Sequence, residues 1–173
     1  IRSNLIVTGD ATATATNILA SEWLYRIGFA ADSIMLLSDV AIAVLFYVLL
    51  KPVSKTLALT AAAFRLTQAA ILGFNLTNYY AALLLLKGVG YAAAFESDQL
   101  DALAMLFLDM HSHGYDLGLL FFGLSSLILG YLVVKSDYFP RVFGYGLIAA
   151  TTVYLMGSFT LFLFPDYASL VEP

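Results

Sequence analysis

Hydrophobic residues are gathered into four long stretches separated by short polar turns, and those stretches hold more than half of the chain. The pattern places them at about 27–50, 56–86, 103–134 and 142–164. A helix rises about 1.5 Å per residue, so each stretch is long enough to cross a hydrocarbon core about 30 Å thick. The predicted fold is all-α: a polytopic transmembrane bundle of four spanning helices, forming one domain over 1–173. Residues 1–9 read as a short extended lead-in. Asp10 is then a plausible N-cap, and no proline follows until Pro52, so the spacing predicts one helix of roughly 40 residues, about 60 Å long. Its first third should project beyond the membrane, with Trp23 and Tyr25 at the level of an interfacial belt.

The turns carry the remaining signals. Lys51-Pro52-Val53-Ser54-Lys55 closes one helix at Pro52 and offers Ser54 as the cap of the next. Lys87-Gly88-Val89-Gly90 is too sparse in glycine for a phosphate cradle. The third helix is predicted to begin in Glu96-Ser97-Asp98-Gln99, with Ser97 or Asp98 as its cap, and to run to Lys135 with Gly114 as a possible bend. The first and third helices thus extend beyond the membrane on the outer side. Pro140 suits the first position of the fourth helix, and Pro165 closes it. Lys51, Lys55, Lys135 and Arg141 flank two loops on one side, which the positive-inside rule makes cytoplasmic. Asp10, Glu22, Glu96, Asp98, Asp101, Asp166 and Glu172 collect on the other, so both termini are expected to face outward. Small residues (Ala58, Ala61, Ala62, Ala63 and Ala69, then Gly144, Gly146 and Gly157) allow close helix contacts.

Composition narrows the class. The 173 residues are 61% hydrophobic and 12% charged, about half the usual charged share of a soluble domain. The partner this implies is the lipid bilayer. A net charge of −4 with no basic run gives no footprint for nucleic acid. The absence of cysteine excludes disulfides, thiolate metal sites and thiol catalysis.

Charges inside apolar stretches are costly and mark candidate sites. Asp39 lies 11 residues before Leu50 and Arg65 lies 9 after Thr56, depths of roughly 16 and 14 Å from the cytoplasmic ends. In an antiparallel hairpin these opposite charges should pair, with Gln68 one turn away as a further hydrogen-bond donor. By the same count Asp32, Asn75, Asp116 and Ser158 fall at roughly 27–29 Å, an expected outer polar layer. Asp109, His113 and Asp116 are spaced i, i+4 and i+7 and share a helix face. They are candidate ligands for a metal or other cation, although one helix supplies only half a metal site and the plainer reading leaves them in outer water. His111 points nearly opposite and is a candidate axial ligand for a haem or chlorin.

NILASEWLYRIGFAADSIMLLSDV, VLFYVLLKPVSKTLALTAAAFRLTQAAILGFNL, LDMHSHGYDLGLLFFGLSSLILGYLVVKSDYFPRVFG and the closing LFPDY resemble a bacterial membrane-protein family catalogued as domain of unknown function 4386. The resemblance covers nearly the whole chain and is closest around the two basic turns. It implies a further apolar helix ahead of the region matching Ile1. It also implies polar residues at Asp32, Asp39, Arg65, Gln68, Asn75 and His111, with His113 and Asp116 at less characteristic positions. It brings no activity and no cofactor.

The expected function is that of a non-enzymatic protein of the bacterial cytoplasmic membrane, an accessory subunit with other membrane-protein subunits as partners. Two alternatives remain open: a small-solute or proton-coupled transporter using Asp39, Arg65 and Asp32, and a metal- or cofactor-binding membrane protein using Asp109, His113 and Asp116, or His111.

Overall fold

Asp10 starts the first helix: its carboxylate accepts the Ala13 N–H at 2.8 Å, and α1 spans Ala11–Ala20. The computed structural model describes residues 4–163, with side chains to Thr160. Four longer helices follow, α2 (Glu22–Leu50), α3 (Lys55–Leu86), α4 (Ser97–Lys135) and α5 (Arg141–Leu163), with a 3₁₀ turn at Gly90–Ala94. These four are long and apolar enough to cross a membrane. The fold is all-helical, as the hydrophobic pattern requires.

Several local expectations need correction. The described part of the lead-in, residues 4–9, is not a simple extended strand. It folds back on α1, where Val7 N–H donates to Thr14 Oγ1 at 2.9 Å and Leu5 is buried. The single long first helix is broken at Ser21, which leaves helical geometry at φ −124°, ψ 38°. Its N–H is shared between the Asn17 and Ile18 carbonyls at 3.0 and 3.2 Å, the three-centre pattern of a helix end. Neither Ser97 nor Asp98 caps α4. Glu96 occupies that position, and Gln99 Oε1 accepts its N–H at 3.1 Å, half of a capping box. Pro140 stands immediately before α5 rather than at its first position. Ser54 does cap α3, its Oγ accepting the Leu57 N–H at 3.4 Å. Pro165, Asp166 and Glu172 lie outside the described residues.

The chain forms two units, one from Ile1–Leu36 and Leu72–Tyr115, the other from Leu37–Ile71 and Asp116–Pro173. The first has a core of Leu5, Ile18, Tyr25, Tyr79, Leu83 and Leu108, so α1 is tied to α2, α3 and α4 through apolar contact. In the second, Leu50, Ala58, Leu132 and Val133 form the core, with Val53 and Phe139 packed on it from the two basic turns.

Glycine sets the approach of α4 and α5. A Cβ built on Gly144 would lie 2.7 Å from the Gly130 carbonyl oxygen, and one on Gly123 would meet the Leu155 side chain. At Gly144 the obstacle is backbone, which cannot swing aside. Gly146 and Gly157 do not serve this contact, because nothing lies within 4 Å of either added Cβ, and Ala63 is exposed rather than packed. Gly144→Ala should therefore force the helices apart and cost about 1–3 kcal/mol. Gly146→Ala should be nearly neutral. Thermal unfolding of both variants in one detergent checks the contrast.

Candidate functional site

The polar side chains of α3 recur at Arg65, Gln68, Asn75 and Tyr79, alternating steps of three and four with Leu72 in the register between them. That spacing keeps them on one stripe of the helix. Gln68, Leu72, Asn75 and Tyr79 are all buried. The polar groups of this stripe thus face protein, where each needs a partner.

In the second unit the structure brings together Asp39, Arg65 and Gln68. Asp39, 8% exposed, accepts from Arg65 Nε and Nη2 on Oδ1 at 3.2 and 2.7 Å, and from Gln68 Nε2 on Oδ2 at 3.0 Å. Both carboxylate oxygens are thus used, and the guanidinium lies 4.6 Å from the Phe122 ring centroid on α4. A carboxylate matched to guanidinium and amide donors is the geometry in which Coulomb attraction can offset desolvation. Gln68 Oε1 is buried and has no hydrogen-bond partner among the described residues. One turn towards the basic loops, Ser125 Oγ donates to the Ala61 carbonyl at 2.8 Å. A chamber of about 20 Å³ there is lined by Arg65, Ser125, Ala61 and Leu132. It has room for one water molecule, not for a solute path.

In the first unit the pairing is reciprocal. Asn75 Nδ2 donates to the His111 carbonyl at 2.7 Å, and His111 Nδ1 lies 3.1 Å from the Asn75 carbonyl. A carbonyl only accepts, so Nδ1 carries the proton. His111, 2% exposed, is thereby held as a bolt between α3 and α4. Gly114 permits the bolt: a Cβ there would fall within 3.0 Å of the Asn75 carboxamide. It is a contact residue, and α4 runs through it without a break in helix.

Tyr25 and Tyr79 form a second reciprocal pair that the sequence reading missed. Tyr25 Oη donates to the Tyr79 carbonyl at 2.7 Å, and Tyr79 Oη returns to the Tyr25 carbonyl at 2.8 Å. Their rings stack with centroids 4.1 Å apart, and His111 meets Tyr79 edge-on at 5.4 Å. Tyr25 is 1% exposed and so is no belt residue, whereas Trp23 is 75% exposed. The missed signal was the α3 stripe itself, which extends to Tyr79.

The other candidates fall in both units. Asp32 is half-buried in the first unit, its carboxylate with no hydrogen bond or ion pair among the described residues. Asp116 is half-buried and Ser158 buried, both in the second unit. Asn75 bonds to His111 and Asn78. Asp109 and His113 are exposed, and among the described residues no group of three acids or histidines is placed to hold a metal. Ahead of the apolar stretch, Glu22 accepts from Arg26 at 2.6 Å and Lys87 at 3.0 Å. Those two hydrogen bonds, Arg26 first, hold its carboxyl below the usual carboxylate range.

The Gly114 contact gives a sharp test. Gly114→Ala should displace Asn75 and cost about 1–3 kcal/mol. Adding Asn75→Ala to it should cost less than the two single losses combined, because the clash is gone. Unfolding of the three variants against the parent measures this.

No solved structure matches the chain. It is 30% identical over 135 residues to an uncharacterized protein of Archaeoglobus fulgidus, a match covering 78% of this chain and 66% of that relative, just under two thirds of the relative's length. A family model described as a domain of unknown function, DUF4386, matches residues 1–173. With its four apolar helices and matching family model, the chain belongs to the DUF4386 family of unknown function.

Proposed function

We propose that this protein is a non-enzymatic integral membrane protein acting as an accessory subunit of a larger complex in the cytoplasmic membrane. The observation that carries the reading is how the polar groups of the apolar helices are used. Asp39 is taken up by Arg65 and Gln68, Asn75 pairs with His111, and Tyr25 pairs with Tyr79. Groups of the kind that do acid–base or ligand chemistry are here employed in holding helices together. Outward, α2 and α5 present mostly apolar side chains: only 22% and 11% of their most apolar windows are buried. Lipid covers such faces, and a partner helix can replace it.

Affinity purification at native expression level in mild detergent tests the subunit reading. A stoichiometric membrane partner is expected, and a protein recovered only as a monomer would contradict it. A transporter using Asp39, Arg65 and Asp32 would instead need a wet passage to Asp39, where the chamber beside Arg65 holds about 20 Å³.

Orientation is tested separately, with the natural lack of cysteine as an advantage. Asp137→Cys, in the exposed turn between α4 and α5, should resist a membrane-impermeant thiol reagent in intact cells. Ser97→Cys, at the exposed start of α4, should react. The reverse pattern would invert the proposed topology.

A further inference from the structure

The first unit carries a groove between α2 and α3, its inner end bordered by the paired Tyr25 and Tyr79. It has two chambers, of about 200 and 290 Å³, which share Phe29 and Tyr80. Its walls are aromatic and aliphatic: Phe29 lies 5.9 Å from Tyr80 and 6.1 Å from Tyr79, and the second chamber continues past Leu84 and Leu76 to Gly73. Gly73, Tyr80 and Leu84 are exposed, so the groove is open along its side.

Two features identify the occupant. The first is length. From Leu84 to Gly73 the groove follows eleven residues of α3, about 16 Å. One leaflet of a hydrocarbon core about 30 Å thick supplies chains of about 15 Å. The second is charge. Arg26 lines the first chamber, and with Lys87 it holds the single carboxylate of Glu22, at 2.6 and 3.0 Å. Two bases on one acid leave one positive charge in excess, and it stands at the end of α3 where the groove begins. Trp23, three residues before Arg26, is exposed there as an interfacial aromatic would be. A cationic mouth above an apolar groove one leaflet deep complements a glycerophospholipid.

We propose that this groove is a binding site for one glycerophospholipid, with an acyl chain against Phe29 and Tyr80 down to Gly73 and its phosphate at Arg26 and Lys87. The excess charge selects an anionic headgroup over a zwitterionic one. Gly73 is what keeps the deep end open: an added Cβ there meets only Leu36 Cδ1, at 4.0 Å. A larger side chain would therefore fill the groove without disturbing the helix contacts.

The test is native mass spectrometry of the full chain released from membranes of equal phosphatidylglycerol and phosphatidylcholine. The parent protein should retain one phosphatidylglycerol in preference. Gly73→Leu should weaken that retention by about tenfold or more, the loss of roughly one factor of ten in binding constant, while the melting temperature in lipid-free detergent stays unchanged. Should Gly73→Leu fail to fold, Thr77→Leu on the same chamber replaces it. The double variant Arg26→Gln with Lys87→Gln should keep a lipid and lose the preference for phosphatidylglycerol. Retention that simply follows bulk composition, or that is equal in the parent and the groove-filling variant, would overturn the proposal. So would a dimer or partner complex that dissociates on Gly73→Leu with no change in lipid, since a helix would then be the occupant. The lipid-retention outcomes do not depend on whether the protein is a subunit of a complex.

Discussion

In hydrocarbon a hydrogen-bonding group has no water to fall back on, and that constraint governs where the polar side chains of this protein go. It explains why a helix as apolar as α3 can carry Arg65, Gln68, Asn75 and Tyr79. Their spacing puts them on one stripe, and each meets a neighbouring helix. Arg65 and Gln68 meet Asp39 on α2, Asn75 meets His111 on α4, and Tyr79 meets Tyr25 on α2. The Asn–His and Tyr–Tyr pairs share a device. Each side chain donates to the backbone carbonyl of the other residue, so two hydrogen bonds fix two helices in both rotation and level. Ser125, donating to the Ala61 carbonyl, is a one-sided version of the same contact.

Packing by small residues complements these bonds. Where α4 meets α5, backbone approaches backbone at Gly130 and Gly144, which would be in each other's way if either gained a Cβ, and Leu155 packs against Gly123. Membrane helices gain little from apolar burial alone, since lipid is as apolar as leucine, so close approach and hydrogen bonds supply what specificity there is. The reading of the protein as a scaffold or subunit follows from this use of its polar groups. The groove beside Phe29 and Tyr80 is the place where it points outward with a shape and a charge of its own.

The sequence made the number and span of the long helices legible because length and apolarity are nearly sufficient to define them. It also made Asp39 and Arg65 legible as neighbours. Charges are so rare in these stretches that counting depth from the Lys51–Lys55 turn left one matching pair. Depth alone carried no further. It grouped Asp32, Asn75, Asp116 and Ser158 by level, but level does not specify which way a side chain faces around its helix. Asn75 bonds to His111, a residue that the same reading set aside as a ligand candidate. Tyr25 was hidden by its neighbour, since Trp23 and Tyr25 together look like an interfacial belt while one is exposed and the other is buried. The break at Ser21 had no proline or glycine to announce it. The role of Gly114 could not be seen from α4 alone, because the atoms that require a glycine there belong to Asn75.

The central claim is that Asp39 and Arg65, within the apolar helices, are bound to each other as a structural pair, and a double-mutant cycle on the two addresses it most directly. In detergent, Arg65→Leu and Asp39→Leu should each destabilise by several kcal/mol, because each leaves an uncompensated buried charge, about 3–5 kcal/mol by general experience with buried pairs. The double variant should be far less destabilised than the sum, with a coupling of about 1 kcal/mol or more. Single variants that unfold like the parent, or losses that simply add, would contradict the account.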